Sequence, residues 1–581
     1  MESLDYEKLN VKIGLEIHQQ LNTKKLFCSC SSEMREDNLI YEVKRKLRPV
    51  VSELGEVDRA ALFEFFRNRE FIYYGYEDEC CLVDLDEEPP HEINKDALEI
   101  AINIAHNLEL WVPHELHIMR KIVLDGSAIT SFQRTLLVGL GPAKFNGIRI
   151  KSLCLEEDSA KPIKQEGKYV YYSLSRLGIP LIEIGTEPDI KNPEDAKRIA
   201  KDLGIFLRTF NVKRGIGSIR QDVNISIAKG ARVEIKGWQE LRSLDKLIEN
   251  EIKRQVSLLD IREELRNQKI DVNIREIDEM HILFVKNFER FAQRILCEKK
   301  ILLDELLDYG GVYNCDLYSN FLNDEKNKEI FSKIEKNFEI GSNDIIIVTH
   351  GLEARRAIEE IKNRVEYLRI GVPEETRRPN ENATTSYARP LPGSARMYPE
   401  TDLLPIANWP KPKRIKSLLE RKKEMEKIIG NDIAEQLVIS KYFPLFEKII
   451  KNKSERTIRI ASITFTSTFT ELRREGIDIE KIDEKELEKI FDAIEKGKIS
   501  KKAIREIIIE LAHGNNFEEI EKKYELMPIE EIRRIIKETI INTNEKDVKR
   551  LLGAVMSKVK NKAESEIVEE EIRKYLKGAG K

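Results

Sequence analysis

The sequence predicts an α+β protein. Three kinds of apolar and polar residue pattern along its 581 residues support this prediction. Up to residue 265, short apolar runs alternate with polar residues and are separated by Gly and Pro, which is typical of strands. Residues 266–370 are richer in helical patterns, and strand and turn patterns return at 371–412. Apolar spacing of three and four then predicts helices throughout 413–581. We therefore expect a first domain in two parts, 1–265 and 371–412, with an insertion between them and an all-helical region after them.

The predicted strands of the first domain share one polar face. Side chains alternate along a strand, so the runs 11–21, 148–155, 217–227 and 232–238 each place their apolar residues on one side. The short link 228–231 predicts a hairpin between the last two runs. On the opposite side these runs and their neighbours present Glu16, His18, Glu156, Glu183, Arg220, Asp222, Asn224, Glu234 and Lys236.

The insertion and the C-terminal region are predicted mainly from helical periodicity. In the insertion, the patterns predict helices at 288–308 and 352–361 and one apolar strand at 344–349. In the C-terminal region, apolar spacing of three and four predicts helices at 415–429, 501–512 and 529–541.

The formal net charge of −4 hides an uneven distribution of charge. Residues 411–581 contain 39 Lys and Arg against 33 Asp and Glu, whereas the rest of the chain is acidic. No apolar run approaches the roughly 18 residues of a membrane helix, and the first residues lack a signal-peptide pattern. Seven Cys in so long a chain are no disulfide framework. Together these features predict a cytoplasmic protein without a membrane partner.

One segment near the C-terminus, 546–562, combines basic residues with Leu, Val and Met and has a single acidic residue, Asp547. Such a helix can pack through one face while the other stays cationic. A cationic face can neutralise RNA phosphates, although many such faces are simply solvated. The candidate RNA-binding residues are Lys546, Lys549, Arg550, Lys558, Lys560 and Lys562.

The polar strand faces have the composition of a metal and phosphate site. Mg²⁺ prefers oxygen ligands, and cationic side chains stabilise a phosphoryl group during transfer. The alternative is that each face is solvated, as on many antiparallel sheets. The sequence contains neither a P-loop nor a GxGxxG fingerprint, which argues against a standard site of either kind.

Five motifs on these strands resemble the B/E subunit family of tRNA-dependent amidotransferases. They are KIGLEIHQQLNTKKLFCSCSS at 12–32, CLEEDSAK at 154–161, SRLGIPLIEIGTEPDI at 175–190, GSIRQDVNISI at 217–227 and VEIKGWQELR at 233–242. The segment 374–406 is similar to the one that follows the family's insertion. Segments such as RPVVSELGEVDRAAL and HIMRKIVLDGS resemble sequences of the archaeal E branch more than those of the bacterial B branch.

The resemblance covers nearly the whole chain and implies a fold. It implies a cradle-like domain built on an antiparallel sheet and an inserted α+β domain like that of bacterial-type aspartyl-tRNA synthetases. It also implies a helical tail that binds tRNA. In the insertion only the general pattern is similar.

The resemblance further implies a two-step reaction on glutamyl-tRNA(Gln), with ATP and Mg²⁺ as cofactors. ATP phosphorylates the glutamyl side chain, and ammonia then displaces phosphate to give glutaminyl-tRNA(Gln). The implied metal ligands are Glu16, His18, Glu156, Glu183 and Glu187, and the catalytic set is Glu16, His18, Glu156, Glu157, Glu183 and Asp222. The implied ATP or substrate contacts are Arg220, Asn224, Lys236, Arg377 and Arg389. Strand phase favours Glu156 over Glu157 as a ligand, unless a bulge intervenes.

No Cys or Ser stands in a motif that would release ammonia, so the chain is expected to need a partner. The resemblance implies an asparaginase-like amidotransferase partner of the D type, in a heterotetramer of two D and two E subunits. Cys28 and Cys30, with Cys80 and Cys81, could form a zinc site. Adjacent Cys residues rarely bind one ion and CxxC spacing is absent, so the sequence argues against structural zinc.

Two other functions compete with this interpretation. A scaffold that only binds tRNA would have lost the polar residues of the strand faces, which are all present. A B-type enzyme that also acts on aspartyl-tRNA(Asn) would lack the sequence segments that resemble the E branch.

Overall fold

The computed structural model describes residues 4–52, 55–322, 325–393, 397–559 and 562–578. The chain divides into two compact units, one ending at Ile415 and the other beginning at Lys416. The first unit mixes sheets and helices and the second is helical, which confirms the α+β class.

The secondary structure is numbered in chain order. The strands are β1 (Lys12–Gln20), β2 (Leu39–Arg45), β3 (Glu70–Tyr76), β4 (Ile118–Ile122), β5 (Phe132–Phe145), β6 (Ile148–Glu157), β7 (Lys161–Glu166), β8 (Tyr169–Ser173), β9 (Pro180–Thr186), β10 (Ile219–Ser226), β11 (Val233–Trp238), β12 (Val272–Ile277), β13 (Met280–Val285), β14 (Ile295–Cys297), β15 (Lys300–Ile301), β16 (Asp316–Ser319), β17 (Ile345–His350), β18 (Glu375–Pro379), β19 (Thr385–Pro390) and β20 (Met397–Pro399). The helices of the first unit are α1 (Arg59–Phe66), α2 (Lys95–Asn107), α3 (Pro193–Leu207), α4 (Leu244–Leu265), α5 (Glu289–Ala292), α6 (Leu302–Gly310), α7 (Glu325–Asn337) and α8 (Ala354–Tyr367).

Within the described ranges, ten strands form one sheet in the order β19-β18-β11-β10-β1-β9-β6-β5-β4-β20. Its central strands follow the predicted alternation, because Ile13, Leu15 and Ile17 of β1 are fully buried on one face. The predicted hairpin forms between β10 and β11. One edge of the sheet is formed by β19 next to β18, and the other edge is formed by β20. All three strands come from the part of the chain after residue 374.

The large sheet departs from the expected antiparallel pattern at one pair of strands. Strand β18 lies parallel to β11, with Val233 opposite Glu375 and Ile235 opposite Arg377. Parallel neighbours need a long crossover connection, and here the chain between β11 and β18 supplies it.

The segment between α4 and β18 forms its own four-stranded antiparallel sheet, in the order β12-β13-β17-β16. The predicted helix 288–308 is wrong: α5 and α6 are separated by the hairpin of β14 and β15. A short apolar run fits a strand as well as a helix, so periodicity alone could not separate them. Glu298 adopts a left-handed backbone (φ 45°) in the hairpin turn.

A cluster of buried charges joins this segment to the large sheet. Glu305 of α6 accepts hydrogen bonds from Arg254 of α4 (2.7 Å) and from Arg377 of β18 (2.7 Å). Arg254 also binds Glu251 at 2.8 Å, and Arg377 also binds Glu375. All five side chains are at most 1% exposed, so the cluster forms a buried ionic junction.

The second unit is built from helices throughout its described part. They are α9 (Leu418–Ile429), α10 (Asn431–Val438), α11 (Phe443–Ile450), α12 (Glu455–Ile463), α13 (Phe469–Arg474), α14 (Glu484–Glu495), α15 (Ile504–Ala512), α16 (Phe517–Tyr524), α17 (Ile529–Thr543), α18 (Val548–Val559) and α19 (Ser565–Gly578). A π-helical turn, Thr464–Thr468, lies between α12 and α13. Among the described residues, no helix combines the length and apolar character that crossing a bilayer requires.

Candidate active site

The polar strand faces converge at the middle of the large sheet. Strand pairing sets His18 of β1 opposite both Glu183 of β9 and Arg220 of β10. It also sets Glu16 opposite Asp222. Directly opposed residues on neighbouring strands lie about 5 Å apart at Cβ, so five strands deliver their polar side chains to one place.

The first group of potential metal ligands is His18, Glu156 and Glu183, whose donor atoms lie within 4.8 Å of one another. His18 Nε2 lies 3.1 Å from Glu183 Oε2. Lys121 of β4 lies between the two carboxylates, with Nζ 2.8 Å from Glu156 and 3.7 Å from Glu183. Thr135 donates a hydrogen bond to Glu156 at 2.7 Å and holds it in place.

The second group is Glu16, Asp222 and Glu234, whose carboxylate oxygens also lie within 4.8 Å of one another. Lys236 Nζ lies 3.1 Å from Asp222 and 3.2 Å from Glu234. Burial, and then the charge of Glu183, raise the pKa of Glu16. Burial opposes ionisation of Asp222, but the charges of Lys236 and His18 outweigh it and lower the pKa of that carboxyl.

Five of these six side chains, all except Glu234, line a cleft of about 350 Å³. The cleft is also lined by cationic side chains from four strands and one loop: Lys121, Arg176, Arg220, Lys236 and Arg389. Oxygen and imidazole donors in two groups, faced by guanidinium and ammonium groups, suit divalent cations and a phosphoryl group. The donor types therefore fit Mg²⁺, and a metal bound there would offset negative charge on phosphate oxygens.

Four predicted site residues do not line the cleft. Glu157 points to the other face of β6, where it accepts a hydrogen bond from the Arg134 backbone at 3.0 Å, and no bulge reverses the phase at Glu156. Glu187 lies beyond the end of β9, about 13 Å along the strand from Glu183. Arg377 is fully buried in the ionic junction and does not line the cleft. Asn224 does not line it either, but donates a hydrogen bond to Glu16 at 3.2 Å.

Other residues of the cleft were not among the predicted site residues. Strand alternation places Glu234 of the second ligand group on the same polar face as Lys236, but Glu234 was not assigned a role in the site. Lys121, Gln133 and Arg176 reach the cleft only through long-range pairing or loop packing, which leaves no local signal in the sequence.

The cysteines near the start of the chain form a separate cluster. The Sγ atoms of Cys28, Cys30 and Cys81 and one oxygen of Asp84 lie within 4.8 Å of one another. The buried ammonium of Lys25 lies 3.1 Å from the other oxygen of Asp84. The cluster uses Cys81 but not the adjacent Cys80.

In the second unit, α18 packs through one face and exposes the other. Leu551 and Val555 are fully buried against a core that includes Ile536 and Ile572 of α17 and α19. The predicted RNA-binding residues Lys546, Lys549, Arg550 and Lys558 are exposed and Lys562 is half-buried, while Lys560 lies outside the described residues. Lys558 donates a hydrogen bond to Thr539 at 2.9 Å.

Comparison with known proteins gives matches along nearly the whole chain. A family model described as the GatB/GatE catalytic domain matches residues 11–410, and one described as the GatB domain matches residues 444–576. The E subunits of glutamyl-tRNA(Gln) amidotransferase from Methanocaldococcus jannaschii and Archaeoglobus fulgidus are each 40% identical to this chain. The protein of the same name from Saccharolobus solfataricus is 39% identical, and all three alignments cover 99% of both chains.

Proposed function

Because the chain belongs to the GatB/GatE family of tRNA-dependent amidotransferase subunits, we propose that it phosphorylates and then amidates the glutamyl group of glutamyl-tRNA(Gln). The observation that supports this most is the cleft in which two groups of metal-ligand side chains face Lys236, Arg220 and Arg389. The product would be glutaminyl-tRNA(Gln), with ADP and phosphate released.

The chemistry explains why such a cleft is needed. A free carboxylate is a poor acyl donor because oxide is a poor leaving group. Transfer of the γ-phosphoryl group of ATP to the glutamyl carboxylate gives an acyl phosphate, from which ammonia displaces phosphate. Negative charge gathers around the phosphoryl group during transfer, so fixed cations stabilise it.

The side chains have distinct roles in this proposal. His18, Glu156 and Glu183 would hold one Mg²⁺, and Glu16, Asp222 and Glu234 would hold a second. Lys236, which is held by Asp222 and Glu234, and Arg389, whose nearest ion-pair partner is Asp125 at 3.8 Å, would bind phosphate oxygens.

Other parts of the assembly would supply the ammonia and bind the RNA. The relatives are named as subunits, which supports an assembly with a partner chain. We propose that this partner is an asparaginase-like subunit of the D type that releases ammonia, in a complex of two D and two E subunits. The exposed cationic face of α18 supports a role for the second unit in binding tRNA, since each phosphate contact there would release counterions.

The proposal is tested with the purified full-length chain, ATP, Mg²⁺ and an ammonium salt. We expect conversion of glutamyl-tRNA(Gln) to glutaminyl-tRNA(Gln), with ADP release that depends on glutamyl-tRNA(Gln) and not on uncharged tRNA(Gln). Free glutamine should not replace ammonium until the partner is added. Binding of glutamyl-tRNA(Gln) without ADP release would favour a scaffold, and equal activity on aspartyl-tRNA(Asn) would favour a B-type enzyme.

We also propose that Cys28, Cys30, Cys81 and Asp84 hold a structural zinc ion. Three thiolates and a carboxylate are a suitable donor set for four-coordinate zinc, and this set includes Cys81 without the adjacent Cys80. Elemental analysis of the purified protein should find about one zinc per chain. Cys81→Ser should lose it and Cys80→Ser, the matched control, should keep it. Equal zinc contents in the two variants, or none in the wild type, would refute the assignment.

A further inference from the structure

Asp158 is a fully buried carboxylate directly behind the cleft, outside both groups of potential metal ligands. It follows β6 and does not line the cleft itself. Asp158 Oδ1 accepts a hydrogen bond from Arg220 Nη2 at 2.6 Å and lies 3.9 Å from Arg176 Nε. Its other oxygen accepts a hydrogen bond from Gln20 at 2.7 Å. A buried charge with these contacts fixes the positions of the groups that pair with it.

The two arginines that contact Asp158 differ in how their side chains are anchored. Arg176 is anchored by its own hydrogen bonds to the backbone oxygens of Ser159 (2.8 Å) and Ala160 (2.9 Å). Arg220 has no such anchor: among the described residues, Asp158 is its one hydrogen-bonded partner. The side chains are 21% and 17% exposed, and both line the cleft. Two guanidinium groups therefore share the one carboxylate of Asp158 at the cleft wall, and their remaining N–H donors can bind a ligand.

The arginine pair lies next to the first group of metal ligands. Arg220 is the cross-strand neighbour of His18, so its guanidinium reaches the same part of the cleft as His18, Glu156 and Glu183. Guanidinium groups match the geometry of phosphate oxygens and form paired hydrogen bonds with them. A phosphate that bridges this region would contact the arginines on one side and face the carboxylate groups on the other.

We propose that Asp158 is a positioning residue that holds Arg176 and Arg220 as a pair, and that this pair binds the phosphate oxygens of the nucleotide. The inference rests on the proposed function, since it assumes that ATP is the phosphate donor. The backbone phosphates of the tRNA 3′ end have the same chemistry. The nucleotide is favoured because the pair lies beside His18, where phosphoryl transfer would take place.

The test is equilibrium binding of ADP with Mg²⁺ to the full-length chain, measured apart from turnover. Asp158→Asn should weaken ADP binding about 10- to 100-fold, the loss expected when a charged hydrogen bond no longer orients its partner. Affinity for glutamyl-tRNA(Gln) should stay unchanged. The matched control is Asp189→Asn, which breaks an exposed Arg149–Asp189 pair (2.7 Å) outside the cleft and should leave ADP binding intact.

A second comparison separates positioning from general damage. If Asp158 acts through Arg220, Asp158→Asn should have little further effect on ADP binding in an Arg220→Met background. Gln20→Met keeps the charges of Asp158, Arg176 and Arg220 but removes one donor to Asp158, so it should weaken ADP binding by less than Asp158→Asn does. This variant decides the question if Asp158→Asn does not fold.

The possible outcomes distinguish this inference from the proposed function. A wild-type chain that neither binds ADP nor releases it with glutamyl-tRNA(Gln) would refute the proposed function. A wild-type chain that does both, with unchanged ADP affinity in Asp158→Asn or additive effects in the double variant, would refute only the role of Asp158. Loss of tRNA affinity with unchanged ADP affinity would assign the pair to RNA and overturn the nucleotide assignment.

Discussion

Glu183→Gln should abolish ADP release dependent on glutamyl-tRNA(Gln), by at least about 100-fold, while leaving tRNA affinity nearly unchanged. Glu183 is the carboxylate of the first ligand group that contacts both His18 (3.1 Å) and Lys121 (3.7 Å). An amide keeps the shape of the side chain but removes its charge. Turnover is followed by ADP formation, and tRNA binding by filter retention.

The control for this variant is Glu166→Gln, which neutralises an exposed carboxylate on β7 that pairs with Lys164 at 2.8 Å. It should keep full turnover. If Glu183→Gln loses tRNA affinity together with turnover, Glu183 belongs to the tRNA-binding surface. If it keeps turnover, the group of His18, Glu156 and Glu183 is not where the chemistry occurs.

Glu305→Gln should lower the free energy of unfolding of the first unit by about 3–5 kcal/mol. Glu305 is fully buried and accepts hydrogen bonds from Arg254 and Arg377. Loss of its charge leaves two buried guanidinium groups short of negative charge, which costs far more than the loss of an exposed pair. All three Trp residues, Trp111, Trp238 and Trp409, belong to the first unit, so tryptophan fluorescence during urea unfolding reports on that unit alone.

The matched control lies in the same inserted segment. Glu359→Gln removes the partner of Arg355 in an exposed pair on α8 and should leave the unfolding midpoint unchanged. If Glu305→Gln also left the unfolding midpoint unchanged, the junction would contribute nothing to stability and the inserted segment would be held by apolar packing alone.

Strand alternation places the polar residues of the cleft on one face of the sheet, and the family resemblance singled them out as candidate site residues. The phase of β1 separates Glu16 and His18 from Ile13, Leu15 and Ile17, and the structure retains that separation. The same rule distinguishes Glu156 from Glu157. It works because one face of each strand is packed and a shift by one residue would bury the charges.

Long-range packing explains what the sequence could not predict. Arg377 lies in a polar motif, but Thr376 is the residue of β18 that faces Glu234, at 2.9 Å, so alternation turns Arg377 to the other side. Lys121 and Asp158 depend on pairings between segments far apart in sequence. The hairpin of β14 and β15 was predicted as helix because its apolar run is too short to show a period.

The order in which the strands of the large sheet are synthesised has a consequence for how the chain folds in the cell. Every strand that supplies a metal-ligand side chain is complete once β11 leaves the ribosome, whereas β18, β19 and β20 follow only after the whole inserted segment. At about 5–20 residues per second, this delay lasts on the order of ten seconds. During that time both margins of the nascent sheet expose unpaired backbone groups, which promote association between chains. Newly made chains should therefore depend on chaperones until residue 399 has emerged, and a ribosome stalled within the insertion should release an aggregation-prone fragment.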